Sequence, residues 1–151
     1  SIIVKKSLQY TPIGPYLYLS GCVLVKRGAG AGAVASMRAA GATLRKNRST
    51  LLAFPEGTRN SARSPSLLPF KKGAFHMAVQ NGLPIVPIVC ENYSHMYRRG
   101  YFEPVPLRAR VLPPISTAGL GPEDVSDLTA RVHAQMLEAL REISRPLQAK
   151  K

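Results

Sequence analysis

Carboxylates are the scarce side chains of this protein. Only 8 Asp and Glu stand against 21 Lys and Arg in 151 residues, a formal net charge of +13. That excess favours anionic partners (phosphorylated small molecules, lipid headgroups or nucleic acid) and does not choose among them. Cysteine is nearly absent too. Cys22 and Cys90 are isolated in apolar stretches; they read as reduced core thiols, and no zinc-binding spacing is present. No apolar run is long enough to span a bilayer. The longest, Tyr16 to Val25, is interrupted by Ser20 and Gly21, whereas a spanning helix needs about 20 apolar residues. A position on a membrane surface stays open. The first residues, Ser1-Ile2-Ile3-Val4-Lys5-Lys6, carry neither Met nor a cleavage pattern, so the start reads as truncated and without a signal peptide.

A convincing general base is missing as well. The histidines are His76, His95 and His133. His133 falls on a packing helix, and its nearest carboxylate candidate, Glu138, lies roughly 140° around that helix. His76 sits in an otherwise apolar helical stretch. His95 lies in an aromatic-rich loop with only Glu91 close in sequence. None of them forms a dyad of the kind nucleophilic catalysis needs. Ser61 and Ser64 lack a nucleophile-elbow context. Gly28, Gly30 and Gly32 are not spaced as a dinucleotide loop, and no acidic residue follows at the usual distance.

What is present centres on Leu51-Leu52-Ala53-Phe54-Pro55-Glu56-Gly57-Thr58-Arg59. Four apolar residues read as a short buried strand. Pro55 stops it by removing a backbone donor, and Gly57 permits a turn that a Cβ resists. A strand ending in Glu, Thr and Arg stands where open α/β sheets bind ligands. Arg59 offers a planar fork suited to phosphate, and Thr58 adds a hydroxyl. Glu56 either holds that fork or contacts a substrate hydroxyl. The plainer alternative is a loop with a surface Glu–Arg pair. The following 60–66 stretch is small and polar, either a lid over the cluster or a simple connector.

Around this centre the pattern alternates strand and helix from 22 to 90. Strands are expected at Cys22–Val25, Thr50–Phe54 and Leu83–Cys90, and helices at about Ala33–Asn47 and Ala74–Asn81, the latter closed by Gly82. Pro84 and Pro87 put the last of these strands at an edge or a bulge. Lys71 and Lys72 stand at the amino end of the second helix, where the backbone already attracts anions. Leu107–Leu112 alternates as a half-buried strand with Arg108 and Arg110 on one face. Pro122 opens a last helix to about Ser144, with an apolar stripe of Leu128, Val132, Met136, Leu140 and Ile143. The expectation is an α/β fold: a single domain over 1–151 with a mixed, mostly parallel sheet and helices on both faces.

These residues resemble the glycerolipid acyltransferases, the lysophosphatidic acid acyltransferase family. Phe54-Pro55-Glu56-Gly57-Thr58-Arg59 is similar to that family's third signature block. Gly21, Leu24, Val25 and Arg27 match its second, and Leu83-Pro84-Ile85-Val86-Pro87-Ile88 its fourth, in the same order and spacing. Phe70-Lys71-Lys72-Gly73-Ala74-Phe75, Glu91-Asn92-Tyr93 and Leu112-Pro113-Pro114-Ile115 resemble the eukaryotic, fungal branch. Asn60 stands where many members have Ser.

The resemblance implies acyl transfer from acyl-CoA to the sn-2 hydroxyl of lysophosphatidic acid, giving phosphatidic acid for phospholipid biosynthesis. It needs no cofactor beyond acyl-CoA as co-substrate and no metal. In the family, a His of the first block, Asn-His-x-x-x-x-Asp, deprotonates the glycerol hydroxyl and the Asp orients it. That block has no match here, so the resemblance implies an inactive fragment without catalytic residues of its own. It further implies substrate binding by Arg27, Glu56, Gly57, Thr58 and Arg59, with Pro87 shaping the pocket. Lys71 and Lys72 would serve the acceptor phosphate or the CoA phosphates. The enzyme is expected at a membrane face, of the endoplasmic reticulum or a lipid droplet. The rivals are another glycerolipid acceptor, such as glycerol-3-phosphate, and a non-catalytic basic module for nucleic acid or anionic membrane. The chain has no recognised nucleic-acid motif and its cations are dispersed, so no nucleic-acid partner is expected.

Overall fold

The computed structural model describes residues 3–20, 23–25, 31–60, 62, 64–92, 97–98, 101–102 and 106–144. In chain order these form β1 (Ile3–Lys5), a 3-10 turn, α1 (Gly14–Leu19), β2 (Val23–Val25), α2 (Ala31–Lys46) and α3 (Gly73–Asn81). Then come β3 (Ile88–Cys90), β4 (Tyr97–Arg98), β5 (Tyr101–Phe102), β6 (Ala109–Val111), a second 3-10 turn at Pro122–Asp124, and α4 (Val125–Ile143).

Among the described residues, α2, α3 and α4, with β3, carry the buried clusters. Where α2 crosses α3, Ala40 and Leu44 pack on Met77, with Leu51 and Leu83 at the margin. Gly41 allows that approach, since a Cβ there would stand 2.2 Å from Asn81 Nδ2. Phe75 and Val79, one turn apart on α3, meet Val125, Leu128 and Val132 of α4. Farther along α4, Ala139, Leu140 and Ile143 cover Val89 of β3. Burying one such side chain fully stabilises the fold by about 1.5–3 kcal/mol, so each buried member of these clusters contributes on that order. The expected apolar stripe of α4 is this core-facing side, with Met136 partly buried. Asp124 accepts the Gly121 N–H at 2.8 Å and fixes the entry to α4. At the other end of α3, Gly82 takes the left-handed conformation, φ 60°, and closes the helix as its position foretold.

The strands depart from expectation. Helices and strands do mix, but the described residues do not form a mostly parallel sheet. Among the described strand pairs, β1 and β2 run parallel; β3 pairs antiparallel with β6, and β4 with β5. A parallel neighbour for β3 needs a long crossover, usually a helix. The chain instead returns through β4 and β5, and β6 runs back along β3. The Ile85–Ile115 bridge extends that antiparallel ladder. Thr50–Phe54 is no regular strand; only Leu52 holds a bridge position.

Among the described residues, α4 covers one face of the β3–β6 pair. Side chains alternate across a strand. With Val89 turned into α4, Ile88 and Cys90 turn outward, and Ile88 is 48% exposed. Cys90 is therefore an exposed thiol rather than a core one. An unbroken apolar run conceals this alternation in the sequence. The β6 side chains are all exposed, and Arg110 pairs with Glu142 of α4. Cys22 lies outside the described residues. No helix among those described is long and apolar enough to cross a membrane.

Candidate functional site

Pro55 and Gly57 shape the centre of the motif as turn chemistry requires. The Gly57 N–H donates to the Phe54 carbonyl at 3.1 Å, and Gly57 has φ 66°, a left-handed conformation that any Cβ strains. The Pro55 carbonyl accepts the Lys71 N–H at 2.8 Å. This backbone bond brings Lys71, two residues before α3, against the turn and closes the loop between them. The Lys71 side chain then lies across Gly57: a Cβ on Gly57 would meet Lys71 Cδ at 3.0 Å, Cε at 2.9 Å and Nζ at 2.8 Å. The glycine thus serves twice, for its φ and as the floor under a lysine. Thr58 and Arg59 follow at once and are exposed. The structure brings Lys71 onto Gly57, and Thr58 and Arg59 are the next residues of the chain.

Glu56 does something the sequence did not disclose. Its Oε2 accepts the Leu68 N–H at 3.0 Å, which ties the far side of the loop to the turn. Glu56 and Arg59 form no ion pair; the ion pair among the described residues is Arg110–Glu142. Glu56 therefore neither holds the Arg59 fork nor makes the simple surface pair, because its carboxylate is engaged by the backbone.

The described residues of the 60–66 stretch are likewise tied rather than loose. Asn60 donates from Nδ2 to the Ser66 carbonyl at 2.8 Å and accepts the Ala62 N–H on Oδ1 at 3.0 Å. Asn92, just past β3, donates to the Ala62 carbonyl at 2.6 Å and toward Ser64 at 3.3 Å. A lid that opens freely would have to break these bonds. Sequence reading missed Asn92 in this part, since its partners lie 28 and 30 residues away and no local pattern marks them.

The two lysines part company. Lys71 covers Gly57, whereas Lys72 donates from Nζ to Ser126 of α4 at 2.8 Å. An open groove of ≈ 390 Å³ runs there, past Phe70 and His133. His133 meets the Phe70 ring edge-on, centroids 4.7 Å apart, a packing role. Pro87 is buried at the entry to β3, where its carbonyl accepts the Leu112 N–H at 2.9 Å; that places it in the β3–β6 ladder. Arg27 and His95, and the glycines at 28 and 30, lie outside the described residues. Among those described, no group of three or more His, Cys, Asp or Glu is arranged to hold a metal ion.

Comparison with known proteins gives this arrangement a setting. A family model described as Acyltransferase matches residues 1–91. A 1-acyl-sn-glycerol-3-phosphate acyltransferase of Saccharomyces cerevisiae is 37% identical over 146 residues, covering 95% of this chain and 48% of the relative. The alpha form from Homo sapiens is 41% identical over 145 residues, covering 94% of this chain and 50% of its own. The chain thus spans about half the length of these curated relatives. The crystal structure of the 1-acyl-sn-glycerophosphate (LPA) acyltransferase PlsC from Thermotoga maritima superposes with a TM-score of 0.65 at 22% identity, over 100% of this chain and 58% of that one. At that identity the likeness speaks for the fold.

Proposed function

The chain belongs to the acyltransferase family, and on that premise we propose that its protein transfers an acyl group from acyl-CoA to the sn-2 hydroxyl of lysophosphatidic acid, giving phosphatidic acid. The observation that carries the reading is the Lys71 ammonium lying over the left-handed Gly57, directly before Thr58 and Arg59. An ammonium and a guanidinium beside a turn suit a phosphate monoester, with charge-assisted bonds roughly twice as strong as neutral ones. The names of the yeast and human relatives point to the same acceptor.

In this reading Arg59, Lys71 and Thr58 bind the acceptor's phosphate, with Arg27 as a further cation from the second block. Glu56 acts through the loop rather than on substrate. Gripping the headgroup fixes where the glycerol hydroxyl stands, and orientation of that kind supplies much of the rate advantage in a transfer reaction. In the transfer itself the hydroxyl oxygen forms a bond to the thioester carbonyl carbon, the carbon–sulfur bond breaks, and CoA leaves as its thiol. The loss of the hydroxyl proton is assigned to the His of the family's first block, which has no counterpart in these 151 residues. Pro87, by ending the free run before β3, shapes the strand rather than touching the phosphate. With a net charge of +13, the protein is suited to work at an anionic membrane face, of the endoplasmic reticulum or a lipid droplet.

The test is acyl transfer by the full-length protein, with lysophosphatidic acid and glycerol-3-phosphate compared as acceptors. Preference for lysophosphatidic acid is expected. No transfer to either acceptor would overturn the proposal.

A further inference from the structure

After Arg59, the described residues Ala62 and Ser64 are held from outside their own loop. Their support is the end of β3. There Glu91, 1% exposed, is fixed twice to the strand beside it: its N–H donates to the Arg108 carbonyl at 2.9 Å, and its Oε1 accepts the Arg108 N–H at 2.9 Å. The next residue, Asn92, extends from this rigid post and donates to the carbonyls of Ala62 and Ser64. The Ala62 N–H is at the same time bound by Asn60 Oδ1. Ala62 is therefore gripped on both its backbone groups, three residues after Arg59. Packing at a distance from the chemistry counts here because misplacing a binding group by about 1 Å costs on the order of 100-fold in rate.

We propose that Asn92 is a positioning residue for the acyl-transfer site: it clamps the loop after Arg59 to the β3–β6 ladder and so fixes the guanidinium relative to Gly57 and Lys71. The inference rests on the phosphate-binding reading given above. Only an amide serves this purpose at position 92. A carboxylate of the same size repels the two carbonyl oxygens, and an alanine does not reach them.

The full-length protein is assayed with acyl-CoA and lysophosphatidic acid, as wild type, Asn92→Asp, Asn92→Ala, Arg59→Ala and the Asn92→Ala/Arg59→Ala double variant. The acceptor KM is expected to rise about tenfold in both Asn92 variants, the worth of one or two lost hydrogen bonds. The donor KM should hold within about twofold, and in the Arg59→Ala background the Asn92→Ala change should add little, as linked residues are non-additive. Amide exchange at Ala62 should quicken in Asn92→Ala. Unchanged acceptor KM, additive effects, or donor and acceptor KM rising together with a lowered melting temperature would each overturn the clamp. If the wild type fails to acylate lysophosphatidic acid, the activity reading falls by itself. Amide exchange at Ala62 then decides the clamp, faster exchange supporting it and unchanged exchange refuting it.

Discussion

The two ends of α3 answer the same backbone demand in different ways. Each is bordered by a glycine in the left-handed region, Gly57 with φ 66° against the amino end and Gly82 with φ 60° at the carboxyl end. At the carboxyl end the polar groups find protein partners. The Gly82 and Leu83 N–H groups bond back to Val79 and Ala78, Arg45 donates to the Asn81 carbonyl at 3.3 Å, and Asn81 bonds Met77 at 2.8 Å. At the amino end Lys72 provides no side-chain cap, and cations gather instead. A Cβ on Gly82 would have Arg45 Nη1 at 3.9 Å as its nearest neighbour, whereas one on Gly57 would press into Lys71. The lesson is that one glycine finishes a helix and the other makes room for a charge. Conformation alone does not tell them apart.

The sharpest way to probe this contrast is to remove the charges. Arg59→Ala and Lys71→Ala should each weaken acceptor binding by about 1.5–3 kcal/mol, the usual worth of a hydrogen bond to a charged group. Steady-state kinetics would read this as an acceptor KM raised about 10- to 150-fold. An unchanged acceptor KM in Arg59→Ala would remove the phosphate role.

Gly57→Ala comes next. It should lower stability by about 1–2 kcal/mol through its φ, and raise the acceptor KM as well, because the new methyl displaces the lysine. Thermal melting and kinetics on one preparation separate the two effects. Gly82→Ala should cost about 1 kcal/mol in melting for the same backbone reason, with the acceptor KM unmoved. If both glycine variants altered KM alike, the two ends would not differ as described.

The smallest effect is expected at Arg110→Ala. Its pair with Glu142 is 44% and 55% exposed, and exposed pairs contribute about 0–1 kcal/mol. A melting shift beyond that range would show the contact between β6 and α4 to be more tightly built than its exposure suggests.

The readable and unreadable parts of the fold divide along physical lines. Helices were legible because their signals are local. The stripe of α4 repeats within one turn, and Gly82 sits directly after the last turn of α3. The direction of β6 was not legible, since pairing depends on how the chain returns and not on the run itself. Cys90 was misjudged for a related reason: Val86 to Cys90 is apolar throughout, and only the neighbour α4 decides which alternate residues face inward.

At the site, the motif announced a turn with an arginine and a hydroxyl. It announced neither the partner of Glu56 at Leu68 nor the reach of Asn92 to Ala62. Both are contacts to backbone groups, which every residue offers equally, so side-chain identity gives no hint of them.

The sequence by itself determined the family, the helices, and the chemistry of the Phe54–Arg59 turn, because each is written in residue types at fixed short spacing. Tertiary structure alone decided that Lys71 crosses Gly57, that Glu56 and Asn92 serve the loop, and that Val89 faces α4 while Ile88 and Cys90 turn outward. Those outcomes depend on which distant segments the packing of α2, α3 and α4 brings together, and contact between distant segments leaves no local pattern.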